Sequence, residues 1–344
     1  MLIDKTKDYT NLLVLQSGPV SKNETATNII CDYAVDAGLD VIVFFGWFDP
    51  DCPWQLPWLN YAKERWGDSF LGVYFYDEPG GIQLDGNWSI VFRRAEQLWP
   101  DWYKEVSTYL EESSNHTVSR DYADAAEGYV NYVIGNLRLS ELTDRSITSF
   151  TSDYALYWFD YLGGYDVVFA EFGWNNSVAQ EIALVRGAAQ LQNKDWGAII
   201  TWKYEQPPYL DTGEEIFMQM QTALESGAKY IVLFNYPTIE GNLYGTLIDS
   251  HFEALKRTWE LIESMPRTTQ NSLNPENVLV LPENYGYGMR SVKDKIWFWE
   301  PDEECLEIWN FARFMLNQKG LNIDIVYEHQ DYSHANTYAT CLIA

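Results

Sequence analysis

The chain has 344 residues, of which 47% are hydrophobic, and its 50 acidic against 23 basic residues give a formal net charge of −27. This composition supplies a large core and excludes a disordered chain or a small disulfide scaffold. Basic residues gather no further than pairs such as Arg93-Arg94, so nucleic-acid and anionic-lipid partners are set aside, and no apolar run reaches the roughly 18 residues of a membrane span.

Strand-like and helix-like patterns alternate along the chain. Asn11–Gly18 is the first apolar run, and Glu24–Gly38 follows with Ile29, Ile30, Tyr33 and Ala34 at helical spacing. Asp40–Trp47 and Ser69–Glu78 are the second and third predicted strands, with a helix over Trp58–Gly67 between them. The next predicted strands are Ile147–Tyr154, Asp166–Phe172, Trp196–Glu205, Lys229–Tyr236 and Asn277–Leu281. Helices are expected over Ser177–Asn193, Glu214–Gly227 and His251–Met265, the last stopped by Pro266.

Eight near-continuous apolar strands alternating with helices predict an α/β fold, a (β/α)8 TIM barrel over residues 1–282. An open doubly wound sheet is the alternative, but the first strand-to-helix turn carries no G-x-G-x-x-G fingerprint. The connection 80–145 is oversized. Helical patterns around Ile90–Leu98, Trp102–Leu110 and Ala123–Leu137 make it a helical insertion after the third strand. Residues 283–344, with a helix at Glu304–Lys319 and a strand at Leu321–Tyr327, form a short C-terminal α/β extension packed on the barrel.

Barrel enzymes carry their reactive groups at the C-terminal ends of strands. The third strand ends Tyr74-Phe75-Tyr76-Asp77-Glu78-Pro79-Gly80-Gly81. Alternation places Tyr74, Tyr76 and Glu78 on the inner face, and Asp77 joins them only if the strand breaks at Pro79 and the glycines. On the fourth strand Ser149, Thr151 and Asp153 share a polar face that is expected to point inward. On the sixth, Lys203 and Glu205 share a face, so that the lysine holds that carboxylate ionised. The orientation of Glu171 on the fifth stays open, and Asn235 on the seventh is a candidate hydrogen-bond donor. Trp47, Tyr76, Trp174, Trp202 and Tyr236 stand near these strand ends, where aromatic faces stack on sugar rings. Two carboxyl groups flanking a bond are the equipment of glycoside hydrolysis.

Over residues 11–282 the chain resembles glycoside hydrolase barrels, and Tyr76-Asp77-Glu78-Pro79 resembles the strand-end Asp-Glu pair of substrate-assisted hexosaminidase families. The resemblance implies Glu78 as general acid and Asp77 as the group orienting the substrate acetamide. Those families carry the pair after the fourth strand, whereas here it follows the third. Glu205 and Glu171 complete the candidate catalytic set. Asp153, Tyr76, Trp47, Trp174, Trp202, Lys203, Asn235 and Tyr236 are the candidate substrate-binding residues for an oligo- or polysaccharide. A non-catalytic surface, assembly or glycan-binding protein on the same barrel is the second reading, and self-association stays open.

No cofactor or metal motif is present. His329 and His334 have a spacing seen in zinc sites but no accompanying ligands. Sequons at Asn23, Asn87, Asn115 and Asn175 suggest a glycoprotein in an extracellular or cell-surface setting, although no signal peptide is present in this numbering. Among Cys31, Cys52, Cys305 and Cys341, a Cys305–Cys341 bond is expected to clasp the C-terminal segment, with unpaired buried thiols as the alternative.

Overall fold

A computed structural model describes residues 2–86, 96, 100–113, 120–174, 176–236, 239, 241–265 and 274–343. Seven parallel strands lie in chain order in one sheet: β1 (Leu12–Leu15), β2 (Asp40–Phe45), β3 (Phe70–Phe75), β4 (Thr148–Asp153), β5 (Val167–Phe172), β6 (Asp195–Ile200) and β7 (Tyr230–Leu233). Their connections run through helices, as parallel pairing of consecutive strands requires. The helices are α1 (Glu24–Asp36), α2 (Gln55–Trp66), α3 (Pro79–Asp85), α4 (Tyr157–Leu162), α5 (Val178–Leu191), α6 (Gly213–Glu225) and α7 (Asp249–Ser264). Local sequence sets their ends. Asn23 caps α1 by accepting from the Ala26 amide, and Thr212 and Glu215 form a capping box on α6.

The sheet curls around an aromatic interior. Ile42, Tyr74, Phe150, Val167, Phe169 and Ile199 fill it, with the Phe150 and Phe169 rings stacked at 5.8 Å. A larger apolar layer, containing Val43, Phe75, Ala170 and Phe172, packs the outer face against the helices. Gly72 occupies a shift in the β2–β3 register. Its φ is +148°, and a Cβ there would stand 2.2 Å from the Thr148 carbonyl oxygen, so only glycine lets β3 and β4 pair.

The barrel is nearly closed and has seven strands. The expected eighth, β8 (Asn277–Leu281), instead lies at the centre of a second parallel sheet, between β9 (Ile323–Tyr327) and β10 (Thr340–Ile343). Every residue of β8 and β9 is buried there, which a place at an open barrel seam would not provide. The second sheet packs on α5, where a Cβ on Gly187 would meet Val326 at 2.7 Å, and α8 (Glu303–Lys319) belongs to the same C-terminal part. Between β1 and β7, in the place of an eighth strand, a cavity of about 330 Å³ is lined by Leu13, Leu15, Ile231, Leu233, Met220 and Trp259.

Between β3 and β4 the described residues are largely helical, including Pro100–Ser113, Tyr122–Gly128 and a π-helical turn at Tyr129–Ile134. Most of the pattern expected at Ile90–Leu98, and the sequons at Asn87, Asn115 and Asn175, lie outside the described residues. All four cysteines are free thiols. Cys305 is buried beside the Tyr285 hydroxyl at 3.2 Å, while Cys341 is exposed on the edge strand β10, so the expected bond between them does not form. No helix among the described residues is long and apolar enough to cross a membrane.

Candidate active site

β3 ends at Phe75, and the chain then makes two left-handed turns, at Tyr76 (φ 62°) and Glu78 (φ 52°). For residues other than glycine each costs about 1–3 kcal/mol, so surrounding contacts must hold them. The Tyr76 amide donates to the Phe45 carbonyl and the Glu78 amide to the Ser152 carbonyl, at 3.2 and 3.0 Å. The Thr151 hydroxyl donates to the Tyr76 carbonyl and the Tyr165 hydroxyl to that of Phe75. The turn at Tyr76 undoes the alternation. Tyr76 packs into the outer apolar layer, and Asp77 swings to the inner side.

There Asp77 accepts hydrogen bonds from the Tyr74 hydroxyl, from Gln16 Nε2 at 3.0 Å and from the Ser152 hydroxyl at 3.4 Å. The single Ser152 proton is shared between Asp77 and the nearer Glu171 Oε1, at 2.5 Å. Glu171 shares the inner face of β5 with Phe169, which settles the orientation that parity left open. Its carboxyl lies in hydrogen-bonding contact with that of Glu78. The structure thus brings Asp77, Glu78 and Glu171 together at the C-terminal end of the barrel, with Tyr74, Ser152 and Gln16 around them.

The inward face of β4 is the reverse of the one expected. Phe150 and Ser152 point in, while Ser149, Thr151 and Asp153 point out. The barrel interior at this level is an aromatic stack, and the outward polar groups are satisfied locally. Ser149 bonds Asp166, and Asp153 accepts from the amides of Gly80, Gly81, Tyr154 and Ala155 at 2.5–3.2 Å. Asp153 is fully buried and contacts the carboxyl of Asp160, which accepts from the Tyr129 hydroxyl at 2.5 Å.

Burial dominates the electrostatics of this cluster. It raises Asp77 against its three hydrogen bonds. Burial, then the charges of Asp77 and Asp153, push Glu78 up to about 8. Burial followed by the charge of Glu78 raises Glu171 well above the usual carboxyl range. Burial raises Asp153 to about 7 despite four amide donors, and burial followed by the Asp153 charge raises Asp160 well above the usual carboxyl range. Glu78 and Glu171 cannot both ionise at contact distance, so the pair retains a proton at neutral pH and titrates as a unit.

The remaining candidates sit apart from this network. Lys203 pairs with Asp211 at 3.7 Å rather than with Glu205, because β6 ends at Ile200 and the strand parity stops there. Glu205 is exposed in the following turn. Trp202 is packed among Phe234, Tyr209 and Tyr236 at 5.2–5.8 Å. Trp174 and Tyr236 are 43% and 47% exposed, and the Trp174 amide donates to the Trp202 carbonyl at 2.6 Å. Asn235 accepts from the Thr246 amide and hydroxyl, so it anchors a loop. Trp47, just past β2, is partly buried against the outer apolar layer. Gln16 and Ser152 were not among the sequence candidates. Gln16 is the first polar residue after β1 and was readable as a strand end, whereas Ser152 was hidden by the reversed parity.

Neither a protein-family model nor a curated protein matches the chain by sequence. The functional reading therefore rests on the chemistry of the carboxyl cluster alone.

Proposed function

We propose that this barrel cleaves glycosidic bonds of an oligo- or polysaccharide, with Glu78 as general acid. The observation that carries this reading is the contact of Glu78 with Glu171 beside Asp77 at the C-terminal ends of β3 and β5. A general acid must hold its proton near working pH, and a carboxyl raised to about 8 does so. Two-carboxylate glycosidases separate the pair by about 5–5.5 Å when retaining and about 6.5–9.5 Å when inverting. A pair in hydrogen-bonding contact leaves no gap for a sugar bond or a water between its carboxyls, so Glu171 serves as the proton-sharing partner, not as nucleophile or base. A substrate-assisted route needs no enzymatic nucleophile. Asp77, fixed by Tyr74, Gln16 and Ser152, then orients the acetamido group of an N-acetylhexosaminide as that group attacks. Trp174 and Tyr236 are the exposed aromatic faces for neighbouring sugar rings. An extracellular or cell-surface site of action accompanies this reading, and glycan mass added at Asn23 in the native protein would support it.

The test is a panel of glycosides with poor and with activated chromogenic leaving groups, N-acetylhexosaminides included, assayed with wild type and Glu78→Gln. Loss of hydrolysis of the N-acetylated substrates with poor leaving groups, the activated ones being far less affected, supports the assignment. A second reading, a non-catalytic barrel that binds glycans or assembles, is favoured by the burial of Glu171 (6% exposed) and Ser152 (2% exposed). Glycan binding without turnover of any substrate, unchanged in Glu78→Gln, would select it.

A further inference from the structure

The helix that follows Glu78 is capped by a residue from another strand. Glu78 occupies the N-cap position of α3, yet its side chain makes no cap hydrogen bond. The first amides of a helix need an acceptor, normally the N-cap side chain. Here the carboxylate of Asp153, 75 residues onward, accepts from the Gly80 and Gly81 amides at 2.5 and 2.8 Å. The two glycines make the approach possible. A Cβ on Gly80 would meet the Ala155 carbonyl oxygen at 2.6 Å and Asp153 Oδ2 at 3.0 Å, and one on Gly81 would enter the Tyr154 ring at 2.0 Å. Asp153 also accepts from the Tyr154 and Ala155 amides, which locks its own loop to the same point. Behind it Asp160, oriented by Tyr129, presents a carboxyl to Asp153.

We propose that Asp153 is a positioning residue: it caps α3 in place of Glu78, holds the left-handed turn at Glu78, and so leaves the Glu78 carboxyl free to face Glu171. Asp160 supports it by carrying the proton between the two buried acids, so that Asp153 remains the acceptor its four amides require. The catalytic consequence rests on the reading of Glu78 as the acid, whereas the positioning itself does not. The titratable groups that act on Glu78 are Asp77, Asp153, Glu171, Asp85 and Tyr154.

The experiment titrates Glu78 by carboxyl-carbon NMR in glutamate-labelled protein, the resonance being assigned through its loss in Glu78→Gln. Three variants are compared with wild type. Asp153→Asn removes both a charge and two good acceptor sites. Gly80→Ala changes no charge but pushes the backbone away from Asp153. Asp160→Asn keeps a donor toward Asp153 and an acceptor for Tyr129. Displacement of Glu78 toward water removes the burial that is the largest cause of its raised midpoint and lowers that midpoint, by about one unit or more, in Gly80→Ala as well as in Asp153→Asn, and Asp160→Asn titrates like wild type. A shift in Asp153→Asn alone reports only the lost charge and overturns the proposal. A folded Gly80→Ala with the wild-type midpoint does the same, and it decides the matter if Asp153→Asn does not fold. Where a substrate is turned over, kcat falls about 10-fold or more in Gly80→Ala with KM little changed, the pattern of lost positioning. A wild type that turns over nothing rejects Glu78 as an acid without touching the NMR outcome.

Discussion

Arg186 of α5 donates to Asp324 of β9 at 2.8 Å with both side chains buried, and this ion pair fastens the second sheet to the barrel. Arg186 also donates to the Leu321 and Ile323 carbonyls, and Asp324 accepts from the Tyr338 hydroxyl at 2.7 Å. Each oxygen of the Asp324 carboxylate thus has a partner. Removing one partner leaves the other charge buried and uncompensated, which costs about 3–5 kcal/mol. Asp324→Leu is expected to lose that much in urea unfolding at pH 7. A loss below about 1 kcal/mol would show that the guanidinium reaches water when unpaired.

The pH dependence of stability has an uncommon sign between about pH 5 and 8. Glu78 and Glu181 are raised from 4.5 to about 8 in the folded state, with burial the largest cause in each. Their contribution is fully present below the unfolded pKa, where both states are protonated. It is lost as pH rises through the folded pKa, because the unfolded chain releases the protons first. The urea midpoint should therefore fall from pH 5 to pH 8.5, and Glu78→Gln should flatten the slope. A midpoint that climbs over this range would show that ordinary ion pairs such as Arg65–Asp32 dominate instead.

Much of the barrel was legible because burial on both faces leaves long apolar runs; six of the seven barrel strands fall within predicted runs, and β6 begins one residue before its own and stops five residues short of it. Asn277–Leu281 was recognisable as a strand but not as a member of a second sheet, since partner choice depends on where β9 and β10 lie, not on its own residues. The Asp77-Glu78 pair stood out as acids directly following an apolar strand. Parity carried the inner face correctly as far as Tyr74 and failed at Tyr76, where a left-handed residue resets the alternation. It failed on β4 because the inner face there is aromatic and the outer one polar, the opposite of the usual barrel-mouth expectation. Lys203 and Glu205 were misread because alternation was extended past Ile200, where the strand ends.

The thiols offer a direct check of the C-terminal packing. Cys31 and Cys305 are fully buried, Cys52 is nearly so, and Cys341 is exposed. Burial raises Cys31 to about 12 and also raises Cys52 and Cys305, which keeps them as unreactive thiols at neutral pH. Ellman's reagent should titrate one thiol in the native protein, at Cys341, and four after unfolding without reductant. Two thiols in the unfolded, unreduced protein would restore the Cys305–Cys341 bond that the structure rejects.

Catalysis tests the roles of Glu78 and Asp77 separately. If Glu78 protonates the leaving group, Glu78→Gln should lose about 10²–10⁴ in rate on a glycoside with a poor leaving group. An activated leaving group needs little protonation, so its rate should fall far less. In the wild type, activity toward the poor leaving group should persist through neutral pH and decline as pH rises past about 8, where Glu78 gives up its proton. That decline should be absent for the activated substrate. Tyr74→Phe removes the hydroxyl that donates to Asp77 while leaving the ring in its stack with Phe169. Hydrogen bonds to charged groups contribute about 1.5–3 kcal/mol, so this variant should lose about 10–100-fold on N-acetylated substrates through misplacement of Asp77. Both leaving groups should suffer alike, since orienting the acetamide precedes departure of either. Equal losses for both substrates in Glu78→Gln would instead make Glu78 a binding group and leave protonation to Glu171, its partner in the shared pair.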